Sequence, residues 1–293
     1  MALVIRDVEG PLGADVVGVE PRKPLLKEEV QAIEDAFVRR LVLRFRDAPL
    51  SPMQLCEFSR HFGELQPHIA KRYRHPEVPD VVLMVNQDAD GKFDKVGAER
   101  GAGWHSDLCY DWVPAKATAL HAVAIPTHGG NTKFANMYMA FETMPEKLRK
   151  QVDGRYASFC QGGRLGLNQG IMEGNAKLPL VVHPVIRVHP ASGRKSVYVN
   201  PYHTVAILGL SRESSDELLD EIFAWCSREE FQWQQQWRVG DTILWENRSA
   251  WHSGSLDYPK EQLRKFYRTT IRGTPTVDRA HFEKVLEAEP QPG

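Results

Sequence analysis

Trp104-His105-Ser106-Asp107 places an imidazole and a carboxylate two residues apart. Side chains alternate along an extended chain, so the two project from one face of a strand. A second imidazole, in the distant run Asn247-Arg248-Ser249-Ala250-Trp251-His252, can complete a set of two histidines and one carboxylate. Three such ligands on one face of an ion leave three positions open. That arrangement suits Fe(II) that must also take a cosubstrate and O2. Gly129-Gly130-Asn131-Thr132 lies between the two motifs, and Arg264, Arg268 and Arg272 follow His252.

The elements that must position these groups are mostly short strands. Apolar runs predict strands over Leu41–Phe45, Val81–Val85, Ala117–Ile125, Val181–Val188, Ser196–Val199, Phe231–Trp237, Thr242–Glu246 and Arg264–Ile271, with Gly129-Gly130-Asn131 turning into another at Thr132–Phe134. Leu26–Arg40 has helical periodicity through Val30, Ile33 and Phe37. Ser51 reads as the cap of a helix that runs from Pro52 to Phe62 and stops at Gly63. Further helices are expected over Phe141–Val152, punctuated by Pro145, and Ser211–Ser227. Asp88–Gly103 reads as a polar loop leading into the His105 strand, Gly162–Lys177 as a long mobile loop, and Glu287–Gly293 as a frayed end. Many short strands with a few helices suggest an antiparallel double sheet with peripheral helices, and no linker divides residues 1–293.

Composition narrows the function. A chain of 293 residues, 42% hydrophobic, can bury a sizeable core, and its formal net charge of -1 argues against a nucleic-acid footprint. No apolar run approaches the ~18 residues of a membrane span, and the first residues lack the pattern of a signal peptide. Cys56, Cys109, Cys160 and Cys226 show no metal or redox spacing, so they read as reduced, buried thiols of a cytoplasmic protein, Cys109 included despite its place two residues after Asp107.

Order and spacing together resemble the taurine dioxygenase / 2,4-dichlorophenoxyacetate dioxygenase family of Fe(II)- and 2-oxoglutarate-dependent oxygenases. The resemblance runs from Leu12-Gly13-Ala14-Asp15-Val16-Val17-Gly18 through Phe62-Gly63-Glu64-Leu65, Trp104-His105-Ser106-Asp107, Gly129-Gly130-Asn131-Thr132 and His183-Pro184-Val185-Ile186-Arg187-Val188-His189-Pro190. It ends with Asn247-Arg248 to His252 and the Arg264-x-x-x-Arg268 pair. It implies a double-stranded β-helix (jelly-roll) core, a single dioxygenase domain, and a homodimer or tetramer. It makes His105, Asp107 and His252 the metal ligands. Arg264 and Thr132 then bind the distal carboxylate of 2-oxoglutarate, with Arg268 the alternative to Arg264. His68 and Arg268 match substrate-contacting positions, so the resemblance implies a small anionic substrate, a carboxylate or a sulfonate, oxidised with release of succinate and CO2.

The chain also departs from the taurine enzyme's pattern. Arg100-Gly101-Ala102-Gly103 lacks an Asn that the taurine enzyme uses near its substrate, and Lys71 stands where that enzyme has a Tyr. Trp112, Phe159 and Tyr202 are aromatic candidates for a wider pocket, Gly162–Lys177 is a candidate lid, and eight other histidines, His203 among them, receive no part. The competing reading is a metal-binding jelly roll without oxygenase activity, or a metal-dependent hydrolase.

Overall fold

The computed structural model describes residues 2–166 and 180–288. Strands β1 (Val4–Asp7) and β2 (Ala14–Val17) precede helix α1 (Lys27–Arg40), strand β3 (Val42–Phe45), helix α2 (Pro52–Arg60) and strand β4 (Val82–Val85). Then come α3 (Lys95–Glu99), β5 (Ala115–Ala124), β6 (Thr132–Asn136), α4 (Met137–Glu142), α5 (Glu146–Val152), β7 (Tyr156–Phe159) and α6 (Gly163–Gly166). The rest of the described chain is β8 (Val181–Pro184), β9 (Ile186–Val188), β10 (Lys195–Val197), β11 (Thr204–Ile207), α7 (Arg212–Cys226), β12 (Gln232–Gln235), β13 (Thr242–Glu246), β14 (Ala250–Gly254), β15 (Lys265–Arg272) and α8 (Arg279–Ala288).

A large sheet in the order β1-β2-β3-β13-β5-β15-β4 and a small one in the order β12-β6-β14 form the jelly roll. Strand alternation divides its interior. Leu120 and Ala122 of β5, Ile243 and Trp245 of β13, and Phe266 of β15 pack with Phe134 of β6 between the sheets. Ala117, Ala119, Leu244 and Ile271 of the same strands face away from that space and meet Phe37 of α1 and Phe58 of α2. Trp251 and Ala135 turn outward from the small sheet onto α4, α5 and α7. Burying one such side chain contributes roughly 2 kcal/mol. A one-residue slip of β15 would exchange Phe266 for Tyr267 and lose that packing, so the core fixes the register. Arg264 and Arg268 share the face of Phe266 for this reason.

Several local features differ from the sequence reading: the strand expected over Val181–Val188 is two, β8 and β9, in different sheets, and Gly163–Gly166 at the start of the expected loop is helix α6. The polar stretch before the metal motif contains α3, capped by Asp94, whose Oδ1 accepts from Val96 N at 3.0 Å. Gly97 within it disfavours a helix in isolation, but a Cβ there would stand 2.5 Å from the Val85 carbonyl, so close packing on β4 requires glycine. The Phe141–Val152 helix is two, α4 and α5, with Pro145 as the cap of the second. His105 lies in no strand. It forms an isolated antiparallel bridge, its N donating to His252 O at 3.0 Å and accepting a 2.9 Å bond in return at its carbonyl, before Leu108 turns left-handed (φ 51°). From residue 167 the candidate lid lies outside the described residues, as do residues 289–293. Among the described residues no helix is long and apolar enough to cross a membrane.

Candidate active site

The bridge between His105 and His252 brings the two imidazoles within 4.1 Å between centroids, their planes tilted by 46°. Asp107 Oδ1 lies 3.8 Å from His105 Nε2 and 3.7 Å from His252 Nε2. All three residues are buried, and their ligand atoms lie within 4.8 Å of one another. Burial, with no full compensation from neighbours, lowers the pKa of both imidazoles, so both are neutral and can offer lone pairs. Burial alone would raise that of Asp107, but Arg268 and the imidazoles outweigh it and keep the carboxyl ionised. Two neutral nitrogens and one carboxylate oxygen form a donor set that fits Fe(II).

Residues around the triad fix its orientation. His105 Nδ1 lies 2.8 Å from Gly103 O, which assigns the proton to Nδ1 and leaves Nε2 facing His252 and Asp107. Thr118 donates through Oγ1 to Asp107 Oδ2 at 2.6 Å, and Asn247 Nδ2 donates to the same hydroxyl at 2.9 Å. Asn247 Oδ1 accepts from Asp107 N at 3.2 Å and from Trp245 Nε1 at 2.9 Å. Thr118 and Asn247 were not singled out as carrying a role by the sequence. The pairing of Trp245 with Thr118 across β13 and β5 brings them together. Cys109, by contrast, packs into the core, where Asn200 Nδ2 donates to its sulfur at 3.2 Å and burial raises its pKa to about 12.

One cavity beside the triad is lined by His105, His252, Thr132, Arg264 and Phe266. Arg264 donates from Nε to Gly130 O at 3.0 Å, and its Cζ lies 4.5 Å from the centre of the Phe266 ring. Gly130 is left-handed (φ 64°), and a Cβ on it would come within 3.2 Å of Arg264 Nε, so glycine makes room for the side chain. Burial lowers the Arg264 pKa to about 10, and no ion pair answers it among the described residues. Thr132 accepts from Trp237 Nε1 at 3.1 Å. A fixed guanidinium without a counter-ion, beside a threonine hydroxyl, is built for a carboxylate from outside the chain.

A second compartment, of about 120 Å³, is lined by His68, Arg100, His105, Asp107, His203 and Arg268 among others. Arg268 does not stand open there: its Nη2 lies 2.9 Å from Asp107 Oδ1. His68 Nδ1 accepts from Ala70 N at 3.0 Å, and burial, reinforced by Arg268, lowers the ring's pKa to about 4. Trp112 lines the adjoining cavity of about 250 Å³ together with His68 and Arg268. Tyr202 borders the compartment while 43% exposed. Phe159 belongs to the core against Tyr198 and His183 and lines none of these spaces. Lys71 is exposed. Arg100 and His203 are site residues without a sequence signal.

A family model described as taurine catabolism dioxygenase TauD, TfdA family matches residues 5–270. The alpha-ketoglutarate-dependent 2,4-dichlorophenoxyacetate dioxygenase of Cupriavidus pinatubonensis is 30% identical over 274 residues, covering 87% of this chain and 92% of its own. The alpha-ketoglutarate-dependent sulfate ester dioxygenase of Pseudomonas putida is 29% identical over 289 residues, covering 93% and 90%. The crystal structure of AAD-2 in complex with Mn(II) and N-oxalylglycine matches with a TM-score of 0.83 at 26% identity, covering 95% of this chain and 100% of that one.

Proposed function

We propose a substrate class and a division of labour for this chain, which belongs to the taurine catabolism dioxygenase TauD, TfdA family. It is a 2-oxoglutarate-dependent dioxygenase, an oxidoreductase that uses Fe(II), 2-oxoglutarate and O2. On our reading His105, Asp107 and His252 hold the iron, Arg264 and Thr132 hold the distal carboxylate of 2-oxoglutarate, and His68 and Arg268 receive the primary substrate. Bound there, iron and cosubstrate together supply the oxidising power for attack on a C–H bond, with succinate and CO2 as coproducts.

The chain's own groups position and exclude. Arg264 presents a planar fork to a carboxylate, with the Phe266 ring beneath it and Trp237 holding the Thr132 hydroxyl in place. Thr118 holds one oxygen of Asp107 and leaves the other facing the two imidazoles. Arg268 and a neutral His68 make the second compartment a receptor for a small organic anion, a carboxylate or sulfonate, and we read the outcome as hydroxylation. Relatives named for a phenoxyacetate and for sulfate esters support an anionic substrate. All of residues 1–293 then serve one catalytic domain, and four buried free cysteines are in keeping with a reducing cytoplasm.

The observation that carries the reading is the buried, unpaired Arg264 in the same cavity as two members of the triad. A hydrolase or a metal sensor has no use for it. The test is oxygen uptake and succinate formation by Fe(II)-loaded protein over a panel of organic anions, with and without 2-oxoglutarate. Succinate stimulated by an anion and abolished in His105→Ala supports the assignment. Stimulation that persists in Arg268→Ala removes the anion site, and 2-oxoglutarate binding that persists in Arg264→Ala removes the cosubstrate site.

A further inference from the structure

We propose that Arg100 supplies a second positive charge to the substrate compartment, and that the primary substrate carries two negative charges. The inference rests on the anion-binding reading of Arg268 and deepens it.

Arg100 follows α3 and lines the compartment with Arg268, His68 and the metal-motif residues His105 and Asp107. Among the described residues its guanidinium has no carboxylate within ion-pair distance, Asp94 acting on it only from farther away. Nη2 donates to Leu83 O at 2.5 Å and lies 3.2 Å from Met84 Sδ, while Cζ sits 3.8 Å from the centre of the Tyr73 ring. The other two nitrogens, Nε and Nη1, are buried with no hydrogen-bond partner. A guanidinium in that state is costly unless a ligand answers it. Two other arginines are paired, Arg248 with Glu246 and Arg46 with Asp241, whereas Arg187 is buried against the Tyr198 ring without an ion pair among the described residues. Burial lowers the Arg100 pKa to about 10, and Arg268 is near enough to oppose its charge further, so the two cations act on one space.

A charge tally within the compartment leads to the substrate. The distal carboxylate of 2-oxoglutarate answers Arg264, and a metal ion takes up the charge of Asp107. Asp94 is occupied in capping α3, and Asp111 lines only the adjoining cavity, where it accepts from Gln66 and Val113. His68 is neutral at neutral pH because burial lowers its pKa. Among the described residues Arg268 and Arg100 therefore remain as two positive charges with no carboxylate left to balance both. A monoanion satisfies one, and a phosphate monoester or a dicarboxylate satisfies two.

Calorimetric titration of the Mn(II)- and N-oxalylglycine-loaded protein at pH 8 separates these cases. Two matched pairs serve as probes: phenyl phosphate against phenyl sulfate, and phenylsuccinate against 3-phenylpropionate. We expect the wild type to bind the dianion of at least one pair roughly tenfold more tightly than its monoanionic partner. Arg100→Gln should bring the pair within twofold, Arg100→Lys should keep the preference, and 2-oxoglutarate affinity should change in neither variant. The absence of a dianion preference in both pairs, or a preference that survives Arg100→Gln, overturns the proposal. A fall in 2-oxoglutarate affinity in Arg100→Gln also overturns it by assigning Arg100 to the cosubstrate cavity, which it lines as well. Arg268→Ala keeps the two readings apart. Weakened binding of all four probes there, without any dianion preference in the wild type, removes only the second charge. Binding that is indifferent to Arg268, or absent in the wild type, removes the anion site too.

Discussion

Replacing Thr118 by Val tests whether the groups behind Asp107 hold the metal ligand in place. Thr118 is fully buried, so no solvent can take over the bond its hydroxyl makes to Asp107 Oδ2. Valine fills nearly the same volume, which limits the change to the hydroxyl. Loss of a hydrogen bond to a charged acceptor costs about 2 kcal/mol, and the stranded Asn247 Nδ2 adds about 1 kcal/mol. Unfolding entropy for a chain of 293 residues is about 0.6 kcal/mol per K. The apoprotein should therefore melt about 5 °C lower. Metal affinity should fall by roughly 10- to 100-fold, because a carboxylate free to rotate no longer presents Oδ1 between the two imidazoles. Titration of Mn(II) followed by EPR, beside a thermal melt, measures both. Thr118→Ser, which keeps the hydroxyl, should recover most of the affinity. Mn(II) affinity of Thr118→Val within twofold of wild type, or Thr118→Ser as weak as Thr118→Val, would refute the argument.

Arg264→Lys keeps the charge but loses the planar fork, and the KM for 2-oxoglutarate should rise about 100-fold with a smaller change in kcat; a rise under threefold would mean that the carboxylate binds elsewhere. Arg268→Gln removes a cation 2.9 Å from the metal-facing oxygen of Asp107, so Mn(II) should bind at least as tightly as to the wild type while organic anions bind more weakly; weaker Mn(II) binding would show that Arg268 orients the ligand rather than competing for it. Acid should destabilise the fold through histidines that are buried in the neutral form. His121, away from the metal, accepts from Leu50 N at Nε2 and faces Thr242 with Nδ1, and burial lowers its pKa from 6.5 to about 4. In the unfolded chain it takes a proton near pH 6.5, so its contribution is complete above that pH and is lost as pH falls toward 4. At roughly 1.4 kcal/mol per pH unit the loss reaches about 3 kcal/mol. Urea midpoints should fall between pH 7 and 5, less steeply in His121→Gln, and a flat profile would contradict the assignment.

How much of this was legible in the sequence depended on whether a residue's role is local. β5 and β13 read clearly because both their faces are buried, which leaves largely apolar runs bounded by turns, while β15 reads through its aromatic and β-branched residues among charged ones. β14 gave no such signal: Trp251 packs outward into the core while His252 belongs to the site, so neither face repeats one chemistry. The four-residue strands β1, β2, β7 and β11 are too short for a period, and α3 is hidden by the glycine that its packing demands. In the site, residue types gave the triad and the arginines. Thr118 and Asn247 are ordinary residues in sequence, and only the register of β13 on β5 gives them their work. Arg100 is recognised by what it lacks, a carboxylate, and a missing contact leaves no trace in a sequence.

The same distinction explains a net charge that misleads. A formal charge of -1 describes the surface average, yet Arg100, Arg264 and Arg268 gather beside one metal motif. Two of them lie four residues apart, Arg264 just before β15 and Arg268 within it. Four residues of extended chain at about 3.3 Å each separate their Cα atoms by roughly 13 Å, with Phe266 between them as the apolar spacer. Both line the first cavity, and Arg268 alone of the two also lines the second. Arg264, seated by the Gly130 carbonyl, is reached only by an anion entering the first cavity. Arg268, set against Asp107, borders the second as well as the first. The triad lies between the two compartments and borders both. On the proposed assignment, the Arg-x-x-x-Arg spacing sets a cosubstrate site and a substrate site on either side of Phe266, next to the same triad.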